Sequence, residues 1–255
     1  MVPPEMASSR RLRNAQVRQQ GWILHDSFLV REGRALDVDA HVDRLTTSSE
    51  LPKAEIHPTY ADLLRFAAAS PGWTFPLVTI EAGRIGYALR LFEPAQLRTT
   101  VTLWTSDAPD MRTFPRLKGP DFSLQTSLRR RAEEHGAEEA IIIGQDGFLR
   151  EGAYSSLVYW SDGALVISSS SRRLPSVTEA AVVRAAGSSG DRVAMRDFRP
   201  EEVRAADEVW TLSSLHGIRV VTRWDGKRMT NAGIAAEYRN RLQDMEQDVS
   251  TWLVS

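Results

Sequence analysis

Residues 138–157 read EEAIIIGQDGFLREGAYSSL, and this stretch decides the fold. Its apolar run predicts a strand over 139–144, and Asp146-Gly147 is a typical two-residue hairpin turn. The residues after this turn form the partner strand, which ends at Glu151, and another strand is predicted over 155–160. The stretch therefore predicts consecutive antiparallel strands, with a carboxyl group at the end of one of them.

The rest of the C-terminal half mixes helix and strand signals. Leu124, Leu128 and Ala132 recur at helical spacing, and Ser176 begins a capping box that opens another helix. The further elements are predicted at 123–135, 164–167, 176–186, 209–213, 218–223 and from about Ala232 onward. Together these signals indicate a meandering, largely antiparallel sheet with interleaved helices.

The N-terminal half predicts a smaller unit of alternating strands and helices. Its strands are predicted at 22–30, 77–82, 85–92 and 99–105, and its helices at 38–50 and 59–69. This alternation within a short stretch is typical of a small α/β domain.

The domain organisation follows from these two halves. We expect a mobile N-terminal arm over 1–20, a small α/β domain over 21–105 and a large domain over 116–255. Residues 106–115 are polar and contain two prolines, which favours an interdomain linker. The expected fold class is α/β (α+β): a small α/β domain followed by a larger, mostly antiparallel sheet domain with helices.

Composition excludes several classes of function. The 255-residue chain is 42% hydrophobic and 25% charged, as in ordinary globular proteins, and its net charge is −1. This charge gives no reason to expect nucleic acid or a membrane as a partner. The chain has no cysteine, and its five histidines never fall at the spacing of a helical metal motif. We therefore predict no metal site.

Lysine is rare in this chain, because nearly all of its basic residues are arginines. The only lysines are Lys53, Lys118 and Lys227. Arginine stays protonated and cannot form an imine, so a reaction that needs an amine nucleophile has three candidate residues.

Four features could serve one cofactor, although each has an ordinary explanation by itself. Lys118 lies in a loop before a helix, and Glu151 ends a strand. The helix that begins at Ser176 offers free N–H groups to an anion, and Ser214 lies in a turn after a strand. Pyridoxal 5′-phosphate (PLP) needs a lysine for an imine, a carboxylate for its pyridine nitrogen and an anion site for its phosphate.

The motifs around these residues resemble those of the class IV aminotransferase family. The similarity covers the opening stretch, HVDRL at 41–45, LPSVT at 174–178, ADEV at 206–209 and the serine pair at 213–214. It spans roughly 21–227 in the order and spacing of the family. That family includes branched-chain aminotransferases, D-amino-acid aminotransferases and 4-amino-4-deoxychorismate lyases. The resemblance implies the two-domain class IV fold, PLP as cofactor, and an active site between domains that a homodimer completes.

The resemblance also implies a role for each site residue. Lys118 would bind PLP covalently and move the substrate proton, and Glu151 would pair with the pyridine nitrogen. Leu174 would pack on the ring. The phosphate would be bound by four residues: Arg44, Val177, Thr178 and Ser214. We further expect a cytoplasmic enzyme whose substrates are small molecules, an amino acid and a 2-oxo acid.

The reaction itself is less determined, because the sequence departs from the family near its N-terminus. The stretch GWILHD at 21–26 stands where many members carry a GDGV-like run, and it lines the substrate side. We assign His25 and Asp26 to that side. Lyase members use a threonine near this point, which aligns here with Asp26. The absence of a hydroxyl group at that position favours an aminotransferase, with 4-amino-4-deoxychorismate lyase as the alternative. Ser27 could supply the hydroxyl group only if the register is shifted by one residue.

A third hypothesis is a protein of this fold that has lost activity and serves as a binding or structural subunit. The presence of both Lys118 and Glu151 argues against it, because an inactive member has no chemical need for either residue.

Overall fold

The computed structural model describes residues 22–253, and their contacts divide them into two compact units. The first unit contains the described residues up to Pro94, the segment 117–120 and the residues from Gln247 onward. The second contains 95–116 and 121–246. Lys118 thus packs within the first unit, although it is far from most of that unit in the sequence.

The first unit combines small sheets with helices. Its strands are β1 (Ile23–Ser27), β2 (Val30–Arg31), β3 (Arg34–Ala35), β4 (Trp73–Thr74), β5 (Leu77–Glu81), β6 (Arg84–Ala88) and β7 (Leu91–Phe92). Its longer helices are α1 (Val38–Ser49) and α2 (Lys53–Ala69). Strands β1, β5 and β6 form one antiparallel sheet. The other strands of the unit form a second sheet.

Helix α1 begins and packs as its sequence predicts. The side chain of Asp37 accepts a hydrogen bond from the Ala40 N–H at its start. His41, Val42 and Leu45 are buried on one face of the helix. The helix thereby places His41 and Arg44 close to strand β1, where both contact Asp26.

The second unit is built on a nine-stranded sheet. Its strands are β8 (Thr100–Thr105), β9 (Glu139–Ile143), β10 (Leu149–Gly152), β11 (Ser156–Ser161), β12 (Ala164–Ser168), β13 (Arg192–Arg196), β14 (Glu208–Ser213), β15 (Gly217–Trp224) and β16 (Lys227–Arg228). Its helices are α3 (Phe122–Glu134), α4 (Val177–Ser188), α5 (Pro200–Arg204) and α6 (Ala235–Asp244). The chain ends with β17 (Gln247–Asp248) and α7 (Val249–Trp252), which belong to the first unit.

The large sheet runs in the order β10-β9-β8-β15-β14-β11-β12-β13, with β16 paired to β15. Five of its eight pairings are antiparallel, which confirms the predicted, largely antiparallel sheet. Neighbouring residues of its strands enter different hydrophobic clusters: Leu103 and Ile141 pack in one, Trp104 and Ile142 in the other. Since successive side chains of a strand point to opposite faces, the sheet is covered on both sides.

The structure corrects several predicted element boundaries. Helix α2 starts at Lys53 rather than at residue 59, and Pro58 lies inside it. The single strand predicted over 85–92 is two strands, β6 and β7, which belong to different sheets. Strand β13 and helix α5 were not predicted. Three of the five residues of β13 are charged or small, and its side chains are mostly exposed. The strand therefore lacks the alternation of apolar and polar residues by which a strand is predicted.

The predicted domain boundaries stay predictions, because grouping by contacts does not show which segments fold on their own. Residues 106–115, the predicted linker, lie within the second unit. The predicted arm over 1–20 lies outside the described residues. None of the helices between residues 22 and 253 is long and apolar enough to cross a membrane.

Candidate active site

A tight backbone contact holds the Lys118 loop against strand β1. The N–H of His25 donates to the carbonyl oxygen of Lys118 over 3.0 Å. The next residue, Gly119, has a φ of 139°, and a Cβ atom there would overlap the carbonyl group of Ile23. Only glycine fits both this backbone conformation and this close approach. The glycine therefore determines where the lysine side chain starts.

Gly119→Ala should destabilise the protein by about 3 kcal/mol or more, because backbone strain and a steric overlap add at one position. Denaturant unfolding of the purified variant measures the loss. The matched control is Gly83→Ala, because Gly83 also has a positive φ of 79° but no atom within 4 Å of the added Cβ. Equal losses in the two variants would show that the approach to β1 is unimportant.

The side chain of Lys118 is half-buried, and its amine donates a hydrogen bond to the hydroxyl oxygen of Ser27 over 3.0 Å. Burial lowers the pKa of Lys118 to about 8, with Asp26 acting in the opposite direction and Arg44 in the same direction. A lowered pKa leaves part of the amine unprotonated near neutral pH, and only that form can attack a carbonyl group.

Asp26 lies next to Ser27 in β1, but it contacts a different set of side chains. Its carboxyl group is 1% exposed. One oxygen lies 2.6 Å from His41 Nδ1, and the other accepts from Arg44 Nε over 2.8 Å. Burial disfavours the charged carboxylate, but Arg44 and His41 outweigh it and hold the pKa of Asp26 well below its usual range. Asp26 is therefore a buried anion that orients Arg44.

His25, the other residue assigned to the substrate side, is half-buried in β1. Burial, together with the charge of Lys118, lowers its pKa to about 4. Its ring is therefore neutral at physiological pH. The assignment of His25 and Asp26 to the substrate side stays a prediction.

In the second unit, Glu151 lies buried in strand β10. Its Oε1 accepts the backbone N–H of Leu174 over 3.0 Å and also accepts from the guanidinium group of Arg112. Burial raises the pKa of Glu151 to about 7, although Arg112 acts to lower it. The contact with Leu174 joins two predicted site residues, since Leu174 was expected to pack on the cofactor ring.

Helix α4 presents the predicted phosphate site. The side chain of Ser176 caps it by accepting from the Glu179 N–H over 3.2 Å. In the described part of the chain, no hydrogen bond uses the N–H groups of Val177 and Thr178. Unpaired N–H groups at a helix start are suited to an anion. Ser214 is half-buried in the turn between β14 and β15.

Each unit by itself contains groups of the kinds that PLP requires. The first unit offers a half-buried amine and an oriented arginine. The second unit offers a buried carboxyl group and free N–H donors at a helix start. No group of three or more His, Asp or Glu side chains within residues 22–253 could hold a metal ion. The donor set therefore suits an organic phosphate cofactor that forms an imine.

Residues 24–224 match the amino-transferase class IV family. The chain belongs to that family. Branched-chain-amino-acid aminotransferase of Escherichia coli (strain K12) is 28% identical over 127 residues, which cover 49% of this chain and 41% of the E. coli enzyme. The matched part thus spans less than half of that relative. A bifunctional aminodeoxychorismate lyase / D-amino acid transaminase of Mycobacterium tuberculosis is 26% identical over 255 residues, or 87% of each chain.

The class IV fold is also seen in a solved structure, the PLP-bound form of a hypothetical aminotransferase from Mycobacterium tuberculosis. It superimposes with a TM-score of 0.79 at 22% identity and covers 92% of both chains. Class IV aminotransferases and lyases depend on PLP. Family membership therefore confirms the predicted family, fold, enzyme class and cofactor.

Sequence reasoning missed one partner of the candidate residues, Arg112, and considered another, Ser27, only for a register shifted by one residue. Ser27, rather than Asp26, brings a hydroxyl group to the Lys118 amine. Arg112 contacts Glu151, but it lies in the polar stretch predicted as a linker, where an arginine is ordinarily solvated. The alternation of side chains along β1 could have separated residues 26 and 27, if its register had been known. No sequence signal identifies Arg112.

Proposed function

We propose that this protein transfers an amino group between an amino acid and a 2-oxo acid, with Lys118 as its imine-forming residue. The half-buried amine of Lys118, which contacts Ser27 and has a pKa near 8, carries this proposal. A lysine whose pKa lies this close to neutral can act as a nucleophile and as a proton carrier.

The other site residues serve this reaction in distinct ways. The chemistry that PLP supplies when bound is electron withdrawal from the substrate Cα into a protonated ring. Lys118 removes and returns the Cα proton, and Glu151 holds the proton at the ring nitrogen. Arg44, the N–H groups of Val177 and Thr178, the Thr178 hydroxyl group and Ser214 bind the phosphate, and Leu174 packs on the ring.

A second candidate is 4-amino-4-deoxychorismate lyase, which releases 4-aminobenzoate and pyruvate. The observation that favours it is the Ser27 hydroxyl group, 3.0 Å from the Lys118 amine. The preference for an aminotransferase rested on the absence of a hydroxyl group at Asp26, and Ser27 removes that reason. The bifunctional name of the Mycobacterium tuberculosis relative also supports testing both reactions.

The test presents both substrate types to the purified holoenzyme. Single D- and L-amino acids are added without an acceptor, and a change in the visible band of the cofactor reports amino-group transfer. Aminodeoxychorismate is added separately, and 4-aminobenzoate and pyruvate are measured. We expect a spectral change with at least one amino acid. Efficient release of both products with no change on any amino acid would replace the proposal with the lyase.

Ser27→Ala should separate the two reactions. Loss of one hydrogen bond is worth about 1 kcal/mol, so amino-group transfer should fall by roughly fivefold or less. Any lyase activity should fall by about 100-fold, because it depends on the hydroxyl group as a proton donor or acceptor. Initial rates of both reactions provide the measurement, and Ser27→Thr, which retains the hydroxyl group, is the control. Equal losses would show that the hydroxyl group does not distinguish the reactions.

The homodimer and the cytoplasmic location stay predictions from the sequence. Light scattering after size-exclusion chromatography measures the oligomeric state, and a molar mass near twice that of the 28.5 kDa chain is expected.

A further inference from the structure

A buried arginine of the second unit, Arg112, contacts the carboxyl group of Glu151 directly. Its Nη1 donates to Glu151 Oε1, and the two side chains are only 1% and 5% exposed. Because water is largely excluded from this ion pair, the charge of Arg112 strongly favours the ionised form of the Glu151 carboxyl group.

Both hydrogen bonds of Glu151 go to the same carboxyl oxygen. Oε1 accepts from Arg112 and from the Leu174 N–H. Across residues 22–253, no hydrogen bond uses Oε2. Arg112 and Leu174 thus hold the carboxyl group through Oε1. Its Oε2 can accept a hydrogen bond from a donor outside the described chain.

Arg112 cannot turn away from Glu151, because its remaining nitrogens are occupied. Its Nε donates to Asp110 Oδ1 over 2.9 Å, and its Nη2 donates to Asp110 Oδ2 over 3.2 Å and to the Arg172 carbonyl oxygen over 3.0 Å. A paired contact between a guanidinium and a carboxylate fixes the plane of the arginine. Asp110 therefore orients the group that orients Glu151.

The charges of this cluster show why the arginine matters. Asp110 is paired with Arg112 and also with Arg172, whose Nε lies 3.7 Å from Asp110 Oδ2, whereas Arg112 is the cation in direct contact with Glu151. Burial already raises the pKa of Glu151 to about 7, and Arg112 opposes that rise. Without Arg112, only the Leu174 N–H and the charge of Arg173 oppose burial, so a larger fraction of the carboxyl group is protonated at neutral pH. The protonated form has no negative charge with which to hold a proton at the ring nitrogen.

We propose that Arg112 is a positioning residue that keeps Glu151 ionised and directs its Oε2 to the pyridine nitrogen of PLP. This rests on the proposed function, in which Glu151 pairs with that nitrogen. Arg112 acts through Glu151 and does not itself touch the cofactor.

The test uses holoenzyme reconstituted with PLP that carries ¹⁵N in its ring, because the ¹⁵N resonance distinguishes a protonated from an unprotonated nitrogen. We expect a protonated nitrogen in the wild type and an unprotonated one in Arg112→Gln at pH 7. The dissociation constant of PLP should rise by roughly tenfold, since a charge-assisted contact is lost. Arg112→Lys keeps the charge but loses the paired contact with Asp110, so its protonated fraction should lie between the two.

Arg116→Gln is the matched control. Arg116 donates to the carbonyl oxygen of Ser171 over 3.3 Å, so it contacts the segment that Arg112 holds at Arg172, but it makes no hydrogen bond to Glu151. A purely structural role would make Arg112→Gln resemble this control, with a protonated nitrogen. That result would overturn the inference. If the glutamine variant does not fold, Arg112→Lys provides the test. A protonated fraction and a PLP affinity equal to those of the wild type would then overturn the inference, because the paired contact with Asp110 would not matter.

The outcomes also separate the inference from the proposed function. Borohydride labelling of Lys118 in Arg112→Gln, together with a protonated ring nitrogen, would remove the role of Arg112 and leave the function intact. An unprotonated nitrogen in the wild type would remove the role of Glu151 and the inference with it.

Discussion

Lys118→Ala should abolish turnover and leave PLP without a covalent attachment. Wild-type protein should be yellow and lose its visible band on reduction with borohydride, after which one labelled peptide should contain Lys118. The physical reason is that Lys118 is the half-buried amine whose pKa falls to about 8, so it is available as a nucleophile at neutral pH. Mass spectrometry of the reduced and digested protein provides the measurement.

The control for this prediction is Lys227→Ala, because Lys227 is exposed in strand β16. It should retain the yellow colour, the labelled peptide and the activity. Borohydride labelling of Lys53 or Lys227 in the wild type would contradict the assignment of Lys118.

Glu151→Gln should bind PLP but remove the substrate proton about 100-fold more slowly, or slower still. A loss of that size corresponds to ~3 kcal/mol of transition-state stabilisation. The glutamine carbonyl oxygen can still accept from Arg112 and Leu174, as Oε1 does now. Its NH₂ group then replaces Oε2 and can only donate, so it cannot hold a proton at the ring nitrogen.

Single-turnover kinetics with an amino acid measure this effect, because they separate proton removal from binding and release. Glu134→Gln is the matched control, since Glu134 is exposed at the end of α3. A Glu151→Gln variant that turns over at the wild-type single-turnover rate would show that the ring nitrogen pairs with another group.

Much of the fold could be predicted because its signals are local. The apolar run before Asp146-Gly147 predicted β9 and its hairpin, and the capping box at Ser176 predicted the start of α4. Strand β13 could not be predicted from its sequence. It lies at the edge of the sheet, and a mostly exposed strand needs no apolar face. Its place depends on parallel pairing with β12, a contact that no local pattern specifies.

Candidate site residues could be predicted where they lie in a sequence motif or belong to a rare residue type. Arg44 and Glu151 lie in family motifs, and Lys118 is one of only three lysines; the structure places each in an ion pair or a hydrogen bond. Arg112 was missed, and Ser27 was considered only for a register shifted by one residue. Ser27 required the strand register to be right to a single residue, and Arg112 contacts a residue 39 positions away.

Strand β1 has a consequence for how such a protein can acquire a new reaction. Two adjacent codons specify Asp26, which orients an arginine, and Ser27, which meets the lysine amine. An exchange at the second codon can therefore change the hydroxyl group beside the amine without disturbing the buried anion before it. The carboxyl group of Glu151 and its counter-ion are encoded far away and are unaffected. The group beside the Lys118 amine can therefore change by one codon while the contacts of Asp26 and Glu151 stay as they are.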